Sequence, residues 1–227
     1  MRDYGDEKVL IISKDVISSW EGVKTKGRRK ILKAVSENAY FVPRSEAEGN
    51  PNVTQTIPYC LLCHTDNEGT RRLFHAQRKS EADRELKGKW TIGIGGHINP
   101  EDRIFNRLIR KREKVAILNI DNKLDQMLLN CAKRELNEEL IFDWKDVEKI
   151  KFLGLVMSVE DLVSKDHLGI VLIFEMTTQN VRVRPEGEMA YGQFLTQLEF
   201  LILLDWRDFL LSIHTPEEIK LLLEPRS

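Results

Sequence analysis

The sequence predicts an α/β fold in which a mixed β-sheet lies between helices. Three observations carry this expectation. Branched, apolar runs of strand length recur from about residue 53 onward, one long helical pattern interrupts them, and further helical patterns stand before and after the strands. The chain has 227 residues, 41% of them hydrophobic and 31% charged, enough to bury a real core as one large domain or one domain with an arm.

The N-terminal stretch supplies a strand, "KVLIIS", then a basic helical segment, "GVKTKGRRKILKAVSENA", then a polar loop, "PRSEAEGNPN". Residues 1–52 are therefore expected as a strand-and-helix arm packing on a main domain at 53–227. Lys24, Lys26, Arg28, Arg29, Lys30 and Lys33 cluster in this helix. No aromatic residues are interleaved with them as a nucleic-acid stacking platform requires, so a solvated helix face is the reading.

Next, "TIPYCLLC" and "RRLFHAQR", separated by "HTDNEGT", predict a β-hairpin. "CLLCH", Cys60 to His64, matches the spacing of covalent haem attachment, and Cys60, Cys63, His64 and His75 are imaginable zinc ligands. Strand alternation puts Cys60 and Cys63 on opposite faces, however, and a buried strand is the favoured reading. "GKWTIGIGGHI" predicts one more strand running into glycines. In "NKLDQMLLNCAKRELNEELI", Leu124, Leu128, Leu129, Ala132, Leu136 and Leu140 recur at helical spacing, with Asp121 or Asn122 as N-cap. "IKFLGLVMS" and "LGIVLIFEM" predict two strands, and "LEFLILLDWRDFLLSI" and "PEEIKLLLE" predict helix.

Charge and cysteine usage narrow the function classes. Lys plus Arg (35) nearly balance Asp plus Glu (36), so no general attraction to nucleic acid or to an anionic membrane is expected. The apolar runs are too short to span a bilayer, and the first residues lack the basic start and apolar core of a secretory signal. Three cysteines, an odd number, argue for reduced thiols. A cytoplasmic location follows as the expectation.

The chemistry gathers on "CAKRELNEEL". Glu135, Glu138 and Glu139 fall within an arc of about 100° on a helix, where like charges destabilise one another. A hard divalent cation such as Mg²⁺, which takes carboxylate, water and phosphate oxygens, offsets that repulsion. One turn upstream, small Cys131 and Ala132 leave room for another backbone, and the glycine loop "GIGGHINPED" is the candidate to fill it. Gly93, Gly95 and Gly96 permit tight turns and close approach.

"GGHINPED" followed by "AKRELNEEL" resembles the Nudix box, G-x5-E-x7-R-E-U-x-E-E-x-G-U with U a bulky aliphatic residue. Arg134, Glu135, Leu136, Glu138 and Glu139 match its second half residue by residue, and Gly96 matches its opening glycine, with Gly95 before it. "FLGLV", "DHLGIVLIFEM" and "EGEMAYGQF" resemble a branch of that family described as predicted phosphoesterases. Two departures stand out. Family spacing puts the Arg-Glu pair at 110 and 111, where this chain has Arg110 and Lys111, so an insert is expected at about 103–121. Asp102 then stands where the first box glutamate falls, and Ile141 replaces the late glycine. "DREL", Asp83 to Leu86, mimics the pair but lacks the following acids and reads as loop.

The resemblance implies an α/β/α sandwich and a pyrophosphohydrolase acting on a nucleoside diphosphate linked to another moiety. Glu135, Glu138 and Glu139 would be ligands of Mg²⁺, with Mn²⁺ as the substitute. Glu138 or Glu139 would orient or deprotonate water, and Arg134 would orient a carboxylate. Gly95, Gly96, His97 and Arg78 are the candidate substrate contacts, joined by Lys79, Lys87 and Lys89. His167 is a second candidate histidine, and Glu186 and Glu188 are reserve general bases. The implied partner is a small diphosphate-containing molecule, with no membrane, nucleic acid disfavoured and a homodimer left open. A non-catalytic nucleotide-binding or regulatory protein is the alternative. Prenyl diphosphate isomerisation comes third, because neither Cys63 nor Cys131 lies in the glycine loop as that chemistry needs.

Overall fold

The computed structural model describes residues 5–17, 22–24, 28–79, 88–103, 122–157 and 166–203. The loop expected at Asp83–Leu86, Lys87, the insert beyond Arg103, the Asp121 cap and the tail after Leu203 lie outside them.

The N-terminal stretch gives β1 (Lys8–Ser13), a short α1 (Lys14–Ile17), β2 (Gly22–Lys24), α2 (Arg28–Asn38), β3 (Tyr40–Pro43) and a short α3 (Arg44–Ala47). The hairpin follows as β4 (Val53–Thr65) and β5 (Arg71–Arg78), turned by Asp66, whose carboxylate accepts from the amides of Glu68 and Thr70. β6 (Trp90–Thr91) and β7 (Ile94–Gly95) precede a 3₁₀ turn at Pro100–Arg103, after which comes the long helix α4 (Asn122–Glu139). β8 (Leu140–Ile141), β9 (Val147–Met157), β10 (His167–Met176), β11 (Arg182–Val183), β12 (Met189–Leu195) and α5 (Gln197–Leu203) complete the described chain.

The main sheet runs β12-β5-β4-β10-β9-β2. β10 pairs with β4 in parallel and the other neighbours are antiparallel, so the sheet is mixed. One edge of β4 takes β10 along most of its length. The other edge takes β1 at residues 53–55, β7 at 59–60 and β5 at 63–65. The N-terminal strand β1 thus belongs to this sheet, and β2 adds its far edge.

Helices cover both faces, giving the expected α/β/α layering. On one face α4 buries Ala132, Leu136 and Leu140 against Cys60, Leu62, Leu172 and Phe174. Its other turns bury Leu124, Leu128 and Cys131 with Leu32 and Val35 of α2. On the opposite face Phe200 of α5 packs with Leu61, Cys63 and Ile173. Thr196 starts α5 with a capping box: its hydroxyl accepts from the Glu199 amide at 3.1 Å, and Glu199 accepts from the Thr196 amide at 2.7 Å.

Cys60 and Cys63 enter these opposite layers, as alternation along β4 requires, and all three thiols are free. The His64 ring bonds the Met176 carbonyl at 3.0 Å, and the His75 ring bonds that of Leu73 at 2.9 Å. The basic helix α2 carries an exposed Lys33–Glu37 pair at 3.6 Å. Among the described residues no helix is long and apolar enough to cross a membrane.

Two expected elements differ. "GKWTIGIGGHI" forms two short strands, because the chain crosses from the edge of β5 to the edge of β4 at Gly93, whose Cα lies on the Tyr59 ring. The pattern at 122–141 ends as helix at Glu139, because Leu140 and Ile141 pair with Val183 and Arg182 as β8 and β11.

Candidate functional site

The apolar side of α4 fixes its orientation, and that leaves Arg134, Glu135, Glu138 and Glu139 toward the glycine loop and the β11–β12 connection. Cys131 is small enough to let the loop in, and its thiol donates to the carbonyls of Gly96 at 3.6 Å and His97 at 3.3 Å. Gly96 then meets Glu135. A Cβ on Gly96 would stand 2.2 Å from the Glu135 carboxylate, so only glycine lets the two approach this closely.

Arg134 ties the loop to the helix. Its Nη2 donates to the His97 carbonyl at 2.8 Å, to Asn99 Oδ1 at 2.9 Å and to Asp102 Oδ2 at 3.2 Å. Nη1 donates to Glu135 Oε1 at 2.5 Å and lies 3.7 Å from Glu138 Oε2. Burial works against the Arg134 charge, but Asp102 and Glu135 outweigh it and the net pKa shift is upward. Asp102, only 5% exposed, also accepts from the Asn99 amide at 2.9 Å, while its own carbonyl accepts from Asn130 of α4 at 2.8 Å. The residue at the first-glutamate position thus anchors the arginine of the helix.

The three glutamates differ in environment. Burial raises the Glu135 carboxyl to about 7 against the opposing pull of Arg134, and Glu138 adds to the rise. Glu138 is more than half exposed. Glu139 is half-buried, and burial raises its pKa as well, although the Glu188 amide donates to its Oε2 at 2.9 Å.

That amide belongs to the connection between β11 and β12, which wraps the end of α4. The Arg184 amide donates to the Glu139 carbonyl at 2.7 Å, and its guanidinium to the carbonyls of Asn137 at 2.8 Å and Leu140 at 3.4 Å. Arg184 so satisfies carbonyls at a helix exit where Ile141 replaces the late glycine. Gly187 packs on Glu139, where a Cβ would stand 2.7 Å from Oε2. Arg78 donates to Glu188 at 3.1 Å, and the Lys79 ammonium donates to the Gly187 carbonyl at 2.7 Å.

Of the residues expected at a site, Arg134, Glu135, Glu138, Gly96 and the His97 backbone gather at one end of α4 and the glycine loop. Glu139, Glu188, Arg78 and Lys79 gather at the adjoining turn. Gly95 lies in β7, where a Cβ would meet the Pro58 carbonyl oxygen at 2.1 Å, and the ring of His97 turns toward His167. Glu186 is exposed, in the same connection. Sequence reasoning missed Asn99, Arg184 and Gly187. For the last two, the run "RVRPEGE" with its Gly and Pro was the available signal.

Among the described residues no three His, Cys, Asp or Glu side chains are gathered to hold a metal ion. Arg134 stands against Glu135 and Glu138 in its stead, while Glu139 turns to Glu188. The donor set nevertheless fits a hard cation. Carboxylate oxygens on successive turns of one helix, one of them buried at an energetic cost that a cation relieves, are the chemistry Mg²⁺ takes.

No family model matches the chain. Protein YmaB of Bacillus subtilis (strain 168) is 27% identical over 193 residues, which cover 82% of this chain and 84% of that protein. The crystal structure of Tm1382, described as a candidate Nudix hydrolase, superposes with a TM-score of 0.62 at 20% identity, over 86% of this chain and 89% of Tm1382. A NUDIX hydrolase from Alicyclobacillus acidocaldarius gives a TM-score of 0.45 at 12% identity, over 66% and 82% of the two chains.

Proposed function

The chain has the Nudix fold, and we propose that it hydrolyses a phosphoric anhydride bond in a nucleoside diphosphate linked to another moiety, in a divalent-metal-dependent reaction. One observation carries this reading. The Glu135 carboxylate is held in a largely buried position against Gly96, with its pKa raised to about 7, on the helix face that also bears Glu138 and Glu139. Holding an ionised carboxylate in that position costs the fold energy, and a bound cation offsets the cost.

Glu135, Glu138 and Glu139 would hold Mg²⁺ or Mn²⁺, which supplies positive charge to the diphosphate oxygens and to the departing phosphate. The rest falls to the chain. Gly96 lets Glu135 reach its place, and Arg134, fixed by Asp102 and Asn99, orients the carboxylates of Glu135 and Glu138. Glu138 or Glu139 takes a proton from the attacking water as its oxygen bonds to phosphorus, and the bridging P–O bond breaks toward the leaving phosphate. Arg78 and Lys79, beside Glu188 at the neighbouring turn, would meet phosphate oxygens once freed from their protein partners.

A binding protein without turnover would use the same face. A screen of nucleoside diphosphate sugars, dinucleoside polyphosphates, nucleotide cofactors and nucleoside triphosphates with Mg²⁺ or Mn²⁺ separates the two. Release of a phosphate-containing product supports the hydrolase. Binding of a panel member with no product supports the second reading.

A further inference from the structure

The residue after Gly96, His97, begins a second set of donors. The His97 ring faces β10, with its Nε2 hydrogen-bonded to Nε2 of His167 at 3.3 Å, one imidazole donating and the other accepting, and the two rings tilted by 37°. Burial holds the His97 imidazole neutral, with its pKa pushed down to about 2, and Arg44, His167 and Arg134 act in the same direction. His167 pairs laterally with Gln55 in the β4–β10 ladder, so their side chains leave the same face of the sheet. Gln55 is fully buried, yet among the described residues neither its amide oxygen nor its amide nitrogen has a hydrogen-bond partner. Buried carboxamides are rarely left so, and this one calls for a water or an ion as its partner.

We propose that His97 and His167, with Gln55 as the lateral neighbour of His167 on the same face of the sheet, form a seat for a borderline-soft divalent cation such as Zn²⁺ or Co²⁺, distinct from the carboxylate face of α4. The spacing fits. Two imidazole nitrogens on a tetrahedral zinc, each at the usual bond length, lie about 3.3 to 3.4 Å apart. Mg²⁺ takes oxygen ligands and has no reason to choose this pair. Glu7 Oε1 lies 3.8 Å from Nδ1 of His97, the side from which a carboxylate orients a ligating imidazole, and Arg44 holds Glu7 at 2.9 Å. Glu7 also offsets the charge of Arg44 near the ring. A cation bound here braces the residue after Gly96 against β10, and so steadies the glycine that faces Glu135.

The test uses the untagged full-length chain with Glu135→Gln, Glu138→Gln and Glu139→Gln combined, which silences α4 and makes the result independent of the hydrolase reading. Calorimetric titration with zinc chloride is paired with zinc-edge X-ray absorption on a 1:1 sample. The expected result is one bound equivalent ligated by two imidazoles, with affinity falling at least tenfold in His167→Gln. Absence of zinc binding, zinc with fewer than two imidazoles, or unchanged affinity in His167→Gln would overturn the proposal. The absorption spectrum is taken with both histidines intact, so it decides even where His167→Gln fails to fold.

Discussion

The Glu135 carboxylate lies directly against the Cα of Gly96, so that a methyl group there would stand 2.2 Å from its carbon and both its oxygens. The clash is with the far end of a flexible side chain, which can swing away. Gly96→Ala should therefore leave the fold nearly intact, within about 1 kcal/mol in urea unfolding. Hydrolysis should fall about 100-fold, the cost of misplacing one catalytic group by roughly an ångström. Gly95→Ala is the contrast. Its methyl would meet the Pro58 carbonyl at 2.1 Å, backbone that has nowhere to move, and thermal melting should show a loss of stability larger than that of Gly96→Ala.

The raised pKa of Glu135 has a definite sign. Its carboxyl sits at about 7 in the metal-free fold against an ordinary value of 4.5, so the folded state holds the extra proton between those pH values. Its contribution to stability is fully present below about 4.5 and is lost as pH rises through about 7. Melting temperature in chelator should fall across that window more steeply for the unaltered chain than for Glu135→Gln. Divalent-cation affinity should rise over the same window, since the cation displaces the proton. Parallel melting curves for the two proteins would contradict the assignment.

Asp102 is expected to matter through Arg134. Asp102→Asn removes the charge that accepts from Arg134 Nη2 at 3.2 Å in a nearly enclosed position. Arg134 remains about a third exposed, so the cost should be about 1 to 3 kcal/mol in urea unfolding, below that of a fully buried pair. Turnover should fall with it, because Arg134 loses its hold on the orientation of Glu135.

Arg184→Ala takes the guanidinium from the carbonyls of Asn137 and Leu140. About 1 kcal/mol of stability should be lost. Hydrogen exchange should show the change in the last turn of α4, around Glu138 and Glu139, with the sheet unaffected.

The helix face was legible because Glu135, Glu138 and Glu139 share one helical arc, and small Cys131 announced the close approach of the glycine loop, whereas Ala132 turns into the core. Asp102 was found by family spacing alone, and only the fold shows what it holds: the guanidinium of Arg134, 32 residues further along the chain. The Arg78–Glu188 pair joins residues far apart in sequence, brought together when β12 aligns antiparallel to β5, and no local pattern predicts that register. The division of "GKWTIGIGGHI" into two strands was hidden for a similar reason. It depends on the Tyr59 ring beneath Gly93, a contact between strands that meet only in the sheet.

The most direct test of the central claim is the initial rate of product release from a diphosphate panel with Mg²⁺ or Mn²⁺, for the unaltered chain and for Glu138→Gln. Glu138 is more than half exposed and its ion pair with Arg134 is long at 3.7 Å, so the substitution should leave melting nearly unchanged. Metal-dependent hydrolysis of at least one panel member, abolished by chelator and reduced about 100-fold or more in Glu138→Gln, is the predicted result. No product from any member, or hydrolysis that Glu138→Gln leaves at its full rate, would contradict the account.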